Sequence, residues 1–186
     1  MVDIETTGTQ PNRSGIIQIA AVKFNLKDRS VSPKVFDRCL RMAPHRSWDE
    51  STRQWWAKNP QVLDEIVVRG EDPGIVMRDF ADFCMDNGGL QMNFWGKPIS
   101  FDYAFISSYL HDYNQPNPFS YRNANDLNTF LRALYFPNPV DTSDEPKLQG
   151  TAHNAIYDTL YQIQLLFHHT DKMKGMDVEF TDITPA

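Results

Sequence analysis

The first forty residues consist of short apolar runs separated by polar breaks, a pattern typical of β-strands joined by turns. Residues 1–5 form a short run in which apolar and acidic residues alternate, and residues 16–26 form a longer run rich in β-branched residues. A third run, residues 31–42, follows the polar turn KDRS, and Pro33 favours an edge position or a strand start for it. The pattern therefore predicts three consecutive strands connected by short loops.

The rest of the chain follows mainly the helical period, in which apolar residues recur every three or four positions. The first helical stretch breaks at Asn59-Pro60, because the residue before a proline disfavours the helical conformation. The helix predicted at residues 72–89 places Ile75 on its apolar stripe. Residues 90–96 predict one further, buried strand. The predicted helical segments are residues 47–70, 72–89, 100–113, 125–135 and 151–170.

Length and composition suit one soluble globular domain. The chain has 186 residues, of which 41% are hydrophobic and 23% are charged. The order of strands and helices predicts an α/β layer fold with one sheet covered by helices. We assign residues 1–172 to this domain and residues 173–186, whose pattern is weak, to a C-terminal tail.

Cysteine use and the lack of targeting patterns predict a cytoplasmic protein. Cys39 and Cys84 are the two cysteines, and they do not make a disulfide framework, which fits a reducing compartment. No apolar run approaches the ~18 residues needed to cross a bilayer, so no membrane partner is expected.

The charge balance argues against a broad nucleic-acid-binding surface. The chain has 24 acidic and 18 basic residues, which gives a formal charge of −6. A protein that binds nucleic acid mainly through a basic surface has the opposite balance. If this chain handles phosphate groups, it must do so locally, through metal ions or a few placed cations.

Asp3 and Glu5 form the first candidate site. In a strand, residues two apart face the same side, so both carboxylates project together while Ile4 points the other way. Two like charges at this spacing raise each other's pKa unless a cation lies between them. The alternative is a solvated strand edge with two exposed acids.

Three further residues bear on this site. Asp102 follows an apolar strand at the start of a helix, where the alternative is an acid favoured by the helix dipole. Asp158 lies beside the apolar stripe of the last helix, and the alternative is a partly exposed acid. His153 precedes Asp158 by five residues, about 140° around a helix, so the two cannot share a helix face. We therefore expect His153 in a loop or first turn, with an incidental structural role as the alternative.

Three motifs, read in order, resemble those of the DEDDh (DnaQ-like) 3′→5′ exonucleases. They are DIETTG at residues 3–8, SFDYAFI at residues 100–106 and HNAIYD at residues 153–158, and together they span nearly the whole chain. The segments TRQWWAKNP and WGKPISFDYAFISSYL are most similar to the small phage and bacterial exonuclease A and exoribonuclease group. The resemblance implies an RNase H-like fold, with a five-stranded mixed sheet flanked by helices, and residues 121–124 then become the fifth strand.

The resemblance also implies a set of metal ligands and a general base. The ligands are Asp3, Glu5, Asp102 and Asp158, and His153 is the base. Oxygen-only ligands suit two Mg²⁺ or Mn²⁺ ions, which activate water and stabilise the leaving 3′-oxygen. Asp3 would bridge both ions, Glu5 and Asp158 would hold the ion at the attacking water, and Asp102 would act on the second ion. Neutral His153 would take the proton from the water.

Substrate contacts are expected around this centre. The turn Thr6, Thr7 and Gly8 matches the turn that cradles the terminal nucleotide in the family. Lys97 is a candidate contact to a substrate phosphate, with a solvated turn lysine as the alternative. Tyr103, next to Asp102, is a candidate for the border of the substrate channel.

Trp55 and Trp56 are adjacent, so on a helix their side chains point about 100° apart. One of them can therefore lie in the core while the other lies near a cleft or a partner chain. Core or interface packing is favoured over stacking on a nucleobase.

The sequence thus predicts a metal-dependent 3′→5′ exonuclease that releases 5′-mononucleotides from the 3′ ends of single-stranded DNA or RNA. A non-catalytic nucleic-acid-binding module and a polymerase-associated proofreading subunit are the alternatives. The choice between RNA and DNA, and between a monomer and a homodimer, stays open. For a phage-encoded chain, the cytoplasmic location would be that of the host.

Overall fold

The computed structural model describes residues 1–88 and 92–173, and its strands form two hydrogen-bonded groups. Strands β1 (Val2–Thr6), β2 (Ile16–Phe24) and β3 (Val31–Cys39) form an antiparallel sheet in the order β1-β2-β3. Strands β4 (Phe94–Gly96) and β5 (Ala124–Asp126) pair in parallel. The three N-terminal strands are therefore confirmed. The described residues show sheets of three and two strands rather than one five-stranded sheet.

Strand β2 is the centre of the larger sheet. Its residues are buried without interruption from Ile16 to Val22, as expected for a strand covered on both faces. Strand β3 is an edge strand in the described sheet, with Val31 and Val35 exposed, and this agrees with the position predicted from Pro33.

Within residues 1–88 and 92–173, six α-helices cover the sheets, and the predicted break at Asn59-Pro60 separates the first two. Helix α4 begins directly after Pro98 and carries Asp102 in its first turn. Helix α6 begins directly after Asn154 and carries Asp158 in its first turn. The helices are α1 (Glu50–Trp56), α2 (Pro60–Val68), α3 (Pro73–Met85), α4 (Ile99–Asp112), α5 (Leu127–Tyr135) and α6 (Ala155–Lys172).

The core lies on both sides of the larger sheet. Ile4 and Ile19 pack with Phe80 of α3 and Phe105 of α4 on one side. A second cluster joins β2 to α5 and α6; it contains Val22, Leu127, Leu131, Ile163 and Leu166. None of the described helices is long and apolar enough to cross a membrane.

Some predicted elements differ in detail. Residues Tyr121–Asn123 form a 3₁₀ turn, and the fifth strand begins only at Ala124, because Ser120 caps that turn through the backbone N–H of Arg122. Ile75 is exposed rather than buried. In the strand predicted at residues 90–96, residues 90 and 91 lie outside the described residues, as does the predicted tail from residue 174 onward.

Candidate active site and metal centre

Three carboxylates from two distant parts of the chain meet beside strand β1. Asp3 and Glu5 project from the same face of β1 and are half-buried, while Ile4 between them lies in the core. Asp158 reaches the same point from the first turn of α6. One carboxylate oxygen from each of the three lies within 4.8 Å of the others. This spacing is close to the ~4 Å between oxygens on opposite sides of one bound magnesium ion.

Asp102 brings a fourth carboxylate to the same cleft. It is 2% exposed, and its Oδ2 accepts a hydrogen bond of 3.2 Å from the backbone N–H of Lys97. A Cβ atom at Gly96 would lie 2.8 Å from this oxygen, so the glycine allows the close approach of the carboxylate. Asp102 lies outside the group of three oxygens, and it therefore offers a separate ligand position.

All five motif residues line one cleft of about 500 Å³, which we call the carboxylate cleft. Its walls come from β1, the segment between β4 and α4, α4 itself and the first two turns of α6. Lys97, Phe101, Tyr161 and Gln162 also line it. The structure thus brings together residues that are more than 150 positions apart in the chain.

The electrostatics of the carboxylate cleft favour a bound cation. Burial, and then the charges of neighbouring carboxylates, raise the pKa of Asp3 and of Glu5 well above their usual range. Burial raises the pKa of Asp102 to about 7. Burial also raises the pKa of Asp158, an effect that hydrogen bonds and the nearby charges of His153 and Lys97 oppose. Divalent ions among these groups would reverse these shifts.

His153 lies in the loop before α6, outside the helix, as the spacing to Asp158 predicts. Its backbone has a φ of 63°, an uncommon conformation for a residue with a side chain. Its backbone N–H donates to Asp158 Oδ2 over 2.9 Å. The exposed imidazole packs edge-on against the Trp55 ring, with 4.7 Å between the ring centroids. The ring is thus held at the rim of the carboxylate cleft.

Gln18 on β2 fixes the chain next to His153. It is fully buried, and its Nε2 donates to Asp37 Oδ1 over 2.8 Å and to Asn154 Oδ1 over 3.0 Å. Its Oε1 accepts from the backbone N–H of Ala155 over 3.1 Å. Both ends of the amide are therefore used to attach the start of α6 to the sheet.

A second cavity of about 320 Å³ adjoins the carboxylate cleft, and we call it the aromatic cavity. Trp55 and Phe101 line it, and Glu5 and Phe101 also line the cleft. Trp56 is buried, and its Nε1 donates to the carbonyl oxygen of Thr6 over 3.0 Å, whereas Trp55 is 37% exposed. The prediction that one tryptophan lies in the core and the other near a cleft is confirmed.

The turn after β1 has mainly internal contacts. The buried Thr7 hydroxyl donates to the carbonyl oxygen of Ser47 and accepts from the backbone N–H of Gly15, each over 2.7 Å. Its side chain therefore does not line either cavity. Thr6 and Gly8 do line the aromatic cavity.

Of the two remaining predicted substrate contacts, Lys97 lies in the carboxylate cleft and Tyr103 does not. Tyr103 packs against Phe94 at 5.3 Å between ring centroids, and its hydroxyl points to the carbonyl oxygen of Phe119. Its side chain lies on the Phe94 side of α4 and away from the carboxylate cleft, and its role at the border of a longer substrate channel stays a prediction. The ring on the cleft side is Phe101.

Sequence reasoning did not identify Gln162, Tyr161, Phe101 or Gln18. Gln162 lies one helical turn beyond Asp158, a spacing that places both side chains on the same face of α6. The four-residue spacing from Asp158 is the sequence feature that could have identified Gln162. Gln18 carries no comparable signal, because a single glutamine in an apolar strand belongs to no motif.

A family model described as the 3′-5′ exoribonuclease Rv2179c-like domain matches residues 1–169. No curated protein sequence matches the chain.

Solved structures share the fold. The zinc-bound exonuclease I–single-stranded DNA complex of E. coli superposes with a TM-score of 0.68 at 17% identity. Exonuclease I of Methylocaldum szegediense gives 0.64 at 20%, and the cell-death related nuclease CRN-4 gives 0.65 at 16%. Each match covers 92% of this chain, but the chain spans only 41%, 40% and 62% of those proteins, respectively. At these identities the likeness is one of fold.

Proposed function

The chain belongs to the family of Rv2179c-like 3′-5′ exoribonuclease domains, and we propose on this premise that it is a metal-dependent 3′→5′ exonuclease. In this proposal it removes 5′-mononucleotides from the 3′ end of single-stranded nucleic acid. The description of the family favours RNA over DNA as the substrate.

The observation that carries the proposal is the convergence of oxygen ligands from Asp3, Glu5 and Asp158 within 4.8 Å, with Asp102 in the same cleft. An all-oxygen ligand set suits Mg²⁺ or Mn²⁺. The raised pKa values of these groups fit the same conclusion, because a site that disfavours bare carboxylates favours a bound cation.

When bound, two such ions would activate the attacking water and stabilise the charge on the leaving 3′-oxygen. Asp3, Glu5 and Asp158 would hold one ion, and Asp3 and Asp102 would hold the other. His153, at the rim of the cleft, would take a proton from the water as the general base.

The substrate would lie across both cavities. The aromatic cavity offers Trp55 and Phe101 to the base of the 3′-terminal nucleotide, because aromatic side chains stack on bases of any sequence. Lys97 in the carboxylate cleft would contact a phosphate oxygen. This arrangement needs no broad basic surface, in keeping with the formal charge of −6.

A comparison of end-labelled single-stranded RNA and DNA of one sequence, incubated with Mg²⁺, Mn²⁺ or EDTA, tests the proposal. We expect a ladder that shortens from the 3′ end, faster on RNA, and no cleavage in EDTA. Asp158→Asn should reduce cleavage at least about a hundred-fold, because it removes a ligand from the centre.

Asp64→Asn is the matched control, because Asp64 is exposed and lines neither cavity. It should cleave at the wild-type rate. Shortening from the 5′ end, cleavage in EDTA, or full activity of Asp158→Asn would contradict the proposal. Faster cleavage of DNA would overturn only the choice of RNA.

A further inference from the structure

Gln162 has a contact to the centre that no motif accounts for. It is 5% exposed, lies one turn beyond Asp158 on α6, and lines the carboxylate cleft. Its Nε2 donates to Asp3 Oδ1 over 2.8 Å. The amide thus presents its N–H to Asp3, as suits a carboxylate that is ionised when it ligates a cation and then only accepts hydrogen bonds.

The other end of the same amide lacks a partner. Gln162 Oε1 is buried and accepts no hydrogen bond from any residue that the structure describes. A buried polar atom without a partner is unfavourable, and such atoms are rare in folded proteins. The neighbouring positions Ile163 and Leu166 are buried and apolar, so the environment of this helix also suits an apolar side chain.

Gln162 lines the cleft, and its unpartnered oxygen indicates that a bound group supplies the partner. Magnesium keeps several waters when it binds to protein carboxylates, and these waters are hydrogen-bond donors. Thr159, on the same helix, also has a buried hydroxyl without a partner among the described residues, but it does not line the cleft. Of these two residues, Gln162 is the one that both has a buried atom without a partner and lines the cleft.

We propose that Gln162 is a further residue of the metal centre, a role that rests on the proposed function. Its Nε2 holds one oxygen of Asp3 and leaves the other for the ions. Its Oε1 accepts a hydrogen bond from water in the hydration shell of the ion. Gln162 is thus a positioning residue that acts through Asp3 and through bound water.

Calorimetric titration with Mn²⁺, without nucleic acid, tests this role on the full chain. Gln162→Met preserves length and removes both polar ends of the amide, so we expect Mn²⁺ affinity to fall about 10- to 100-fold. The melting temperature of this variant in EDTA should equal or exceed that of the wild type, because an unpartnered buried oxygen is removed. A residue that only packs the fold would give the opposite pattern, with unchanged affinity and a lower melting temperature.

Gln162→Glu separates the two ends of the amide. It retains an acceptor oxygen, so Mn²⁺ affinity should stay within a few-fold of the wild type. It also places a further negative charge beside Asp3, so the melting temperature in EDTA should fall and the gain on adding Mn²⁺ should be larger than in the wild type. This variant decides the test if Gln162→Met fails to fold.

Two control variants lie on the same helix. Gln164→Leu changes an exposed glutamine, and Thr159→Val changes a buried polar residue outside the cleft; both should bind Mn²⁺ like the wild type. The inference would be overturned if Gln162→Met bound Mn²⁺ as tightly as the wild type, or if Gln162→Glu bound it as weakly as Gln162→Met. Either result would leave the proposed function intact. Absence of Mn²⁺ uptake by the wild type would overturn the proposed function as well.

Discussion

Individual residues of the site are placed where their own charge is unfavourable. Asp102 is almost completely buried, and burial raises its pKa to about 7. Asp3 and Glu5 are subject to burial and to the charges of Asp102 and Asp158. Such an arrangement is typical of functional sites, where a ligand supplies the missing counter-charge. The unfolding free energy of the metal-free protein should therefore depend on pH, because the ionisation of these buried carboxylates is unfavourable.

The variant Asp102→Asn, measured in EDTA, tests how far the ionisation of Asp102 destabilises the metal-free protein. A carboxyl whose pKa is raised in the folded state contributes stability below its unfolded pKa, and this contribution is lost as the pH rises through the folded pKa. Between pH 4 and pH 8, Asp102→Asn should therefore gain stability relative to the wild type, by up to about 4 kcal/mol, since each pKa unit is worth about 1.4 kcal/mol. Urea unfolding at several pH values measures the difference.

The exposed Asp64→Asn variant should show a nearly constant difference from the wild type over the same pH range. If the difference in unfolding free energy between Asp102→Asn and the wild type stayed constant or shrank as the pH rose, burial of the Asp102 charge would not be destabilising as described.

At the residue scale, the sequence was informative wherever a motif existed. The five motif residues converge on one cleft, as the resemblance implied. Tyr103 lies against Phe94 and Phe119 and outside the carboxylate cleft, because its orientation depends on how α4 packs, which no local pattern records. Gln162 was missed because its contact to Asp3 joins positions 159 residues apart.

At the scale of elements, α6 is the part that assembles the site. Its first turn carries Asp158, and the chain just before it carries His153. Gln18 of β2 holds this junction through hydrogen bonds to Asn154 and Ala155. At the other end of the helix, the buried His169 contacts the Tyr135 hydroxyl over 2.9 Å. The helix is thus anchored to the fold at both ends.

Gln18→Leu should loosen the first of these anchors. The change leaves the backbone N–H of Ala155 and the side-chain oxygen of Asn154 without their partner, which should cost about 2–4 kcal/mol of unfolding free energy. Turnover should fall more than substrate affinity, because the segment that carries His153 loses its attachment while the aromatic cavity is unchanged. Urea unfolding and steady-state kinetics measure the two effects.

Gln164→Leu, on the exposed side of α6, is the control for Gln18→Leu and should stay within about 0.5 kcal/mol of the wild type. Equal stability of Gln18→Leu and the control would show that the network at the junction contributes little.

The elements themselves were largely predictable, because apolar periodicity and proline positions determine them locally. The break before Pro60 and the edge position of β3 are examples. The 3₁₀ turn at Tyr121–Asn123 was not predictable in this way, since one side-chain cap at Ser120 decides its conformation. Ile75 belongs to the apolar pattern of α3 but lies on a surface that no neighbouring element covers among the described residues.

At the scale of the whole molecule, a net negative charge coexists with a proposed polyanionic substrate. The formal charge is −6, and Lys97 is the lysine in the lining of the carboxylate cleft. Affinity must then come mainly from the ions and from stacking in the aromatic cavity. Binding of this kind releases few counterions from the nucleic acid.

Salt dependence of the KM for a short single-stranded RNA tests this balance. We allow Lys97 and one further cationic side chain to contact phosphates. A plot of log affinity against log salt should then have a slope no steeper than about −1.5 at fixed Mg²⁺. Lys97→Met should make the slope shallower by about 0.7, whereas Lys58→Met, an exposed lysine outside both cavities, should leave it unchanged. A slope of −4 or steeper would indicate an extended basic binding surface instead.

The overall architecture was predictable in kind and not in detail. Layered strands and helices follow from the order of the patterns, and the likeness to the exonuclease I structures agrees with an α/β fold. The division into a three-stranded and a two-stranded sheet could not be predicted, because β4 and β5 have three residues each and carry too little pattern to define their pairing.

The central claim is that acidic side chains from the two ends of the domain together bind divalent ions. Anomalous diffraction at the manganese edge, from crystals soaked in Mn²⁺ and a 5′-mononucleotide, tests it most directly. We expect two peaks in the carboxylate cleft, one within about 2.2 Å of oxygens of Asp3, Glu5 and Asp158, and one beside Asp102. A map without an anomalous peak among these four carboxylates would contradict the account.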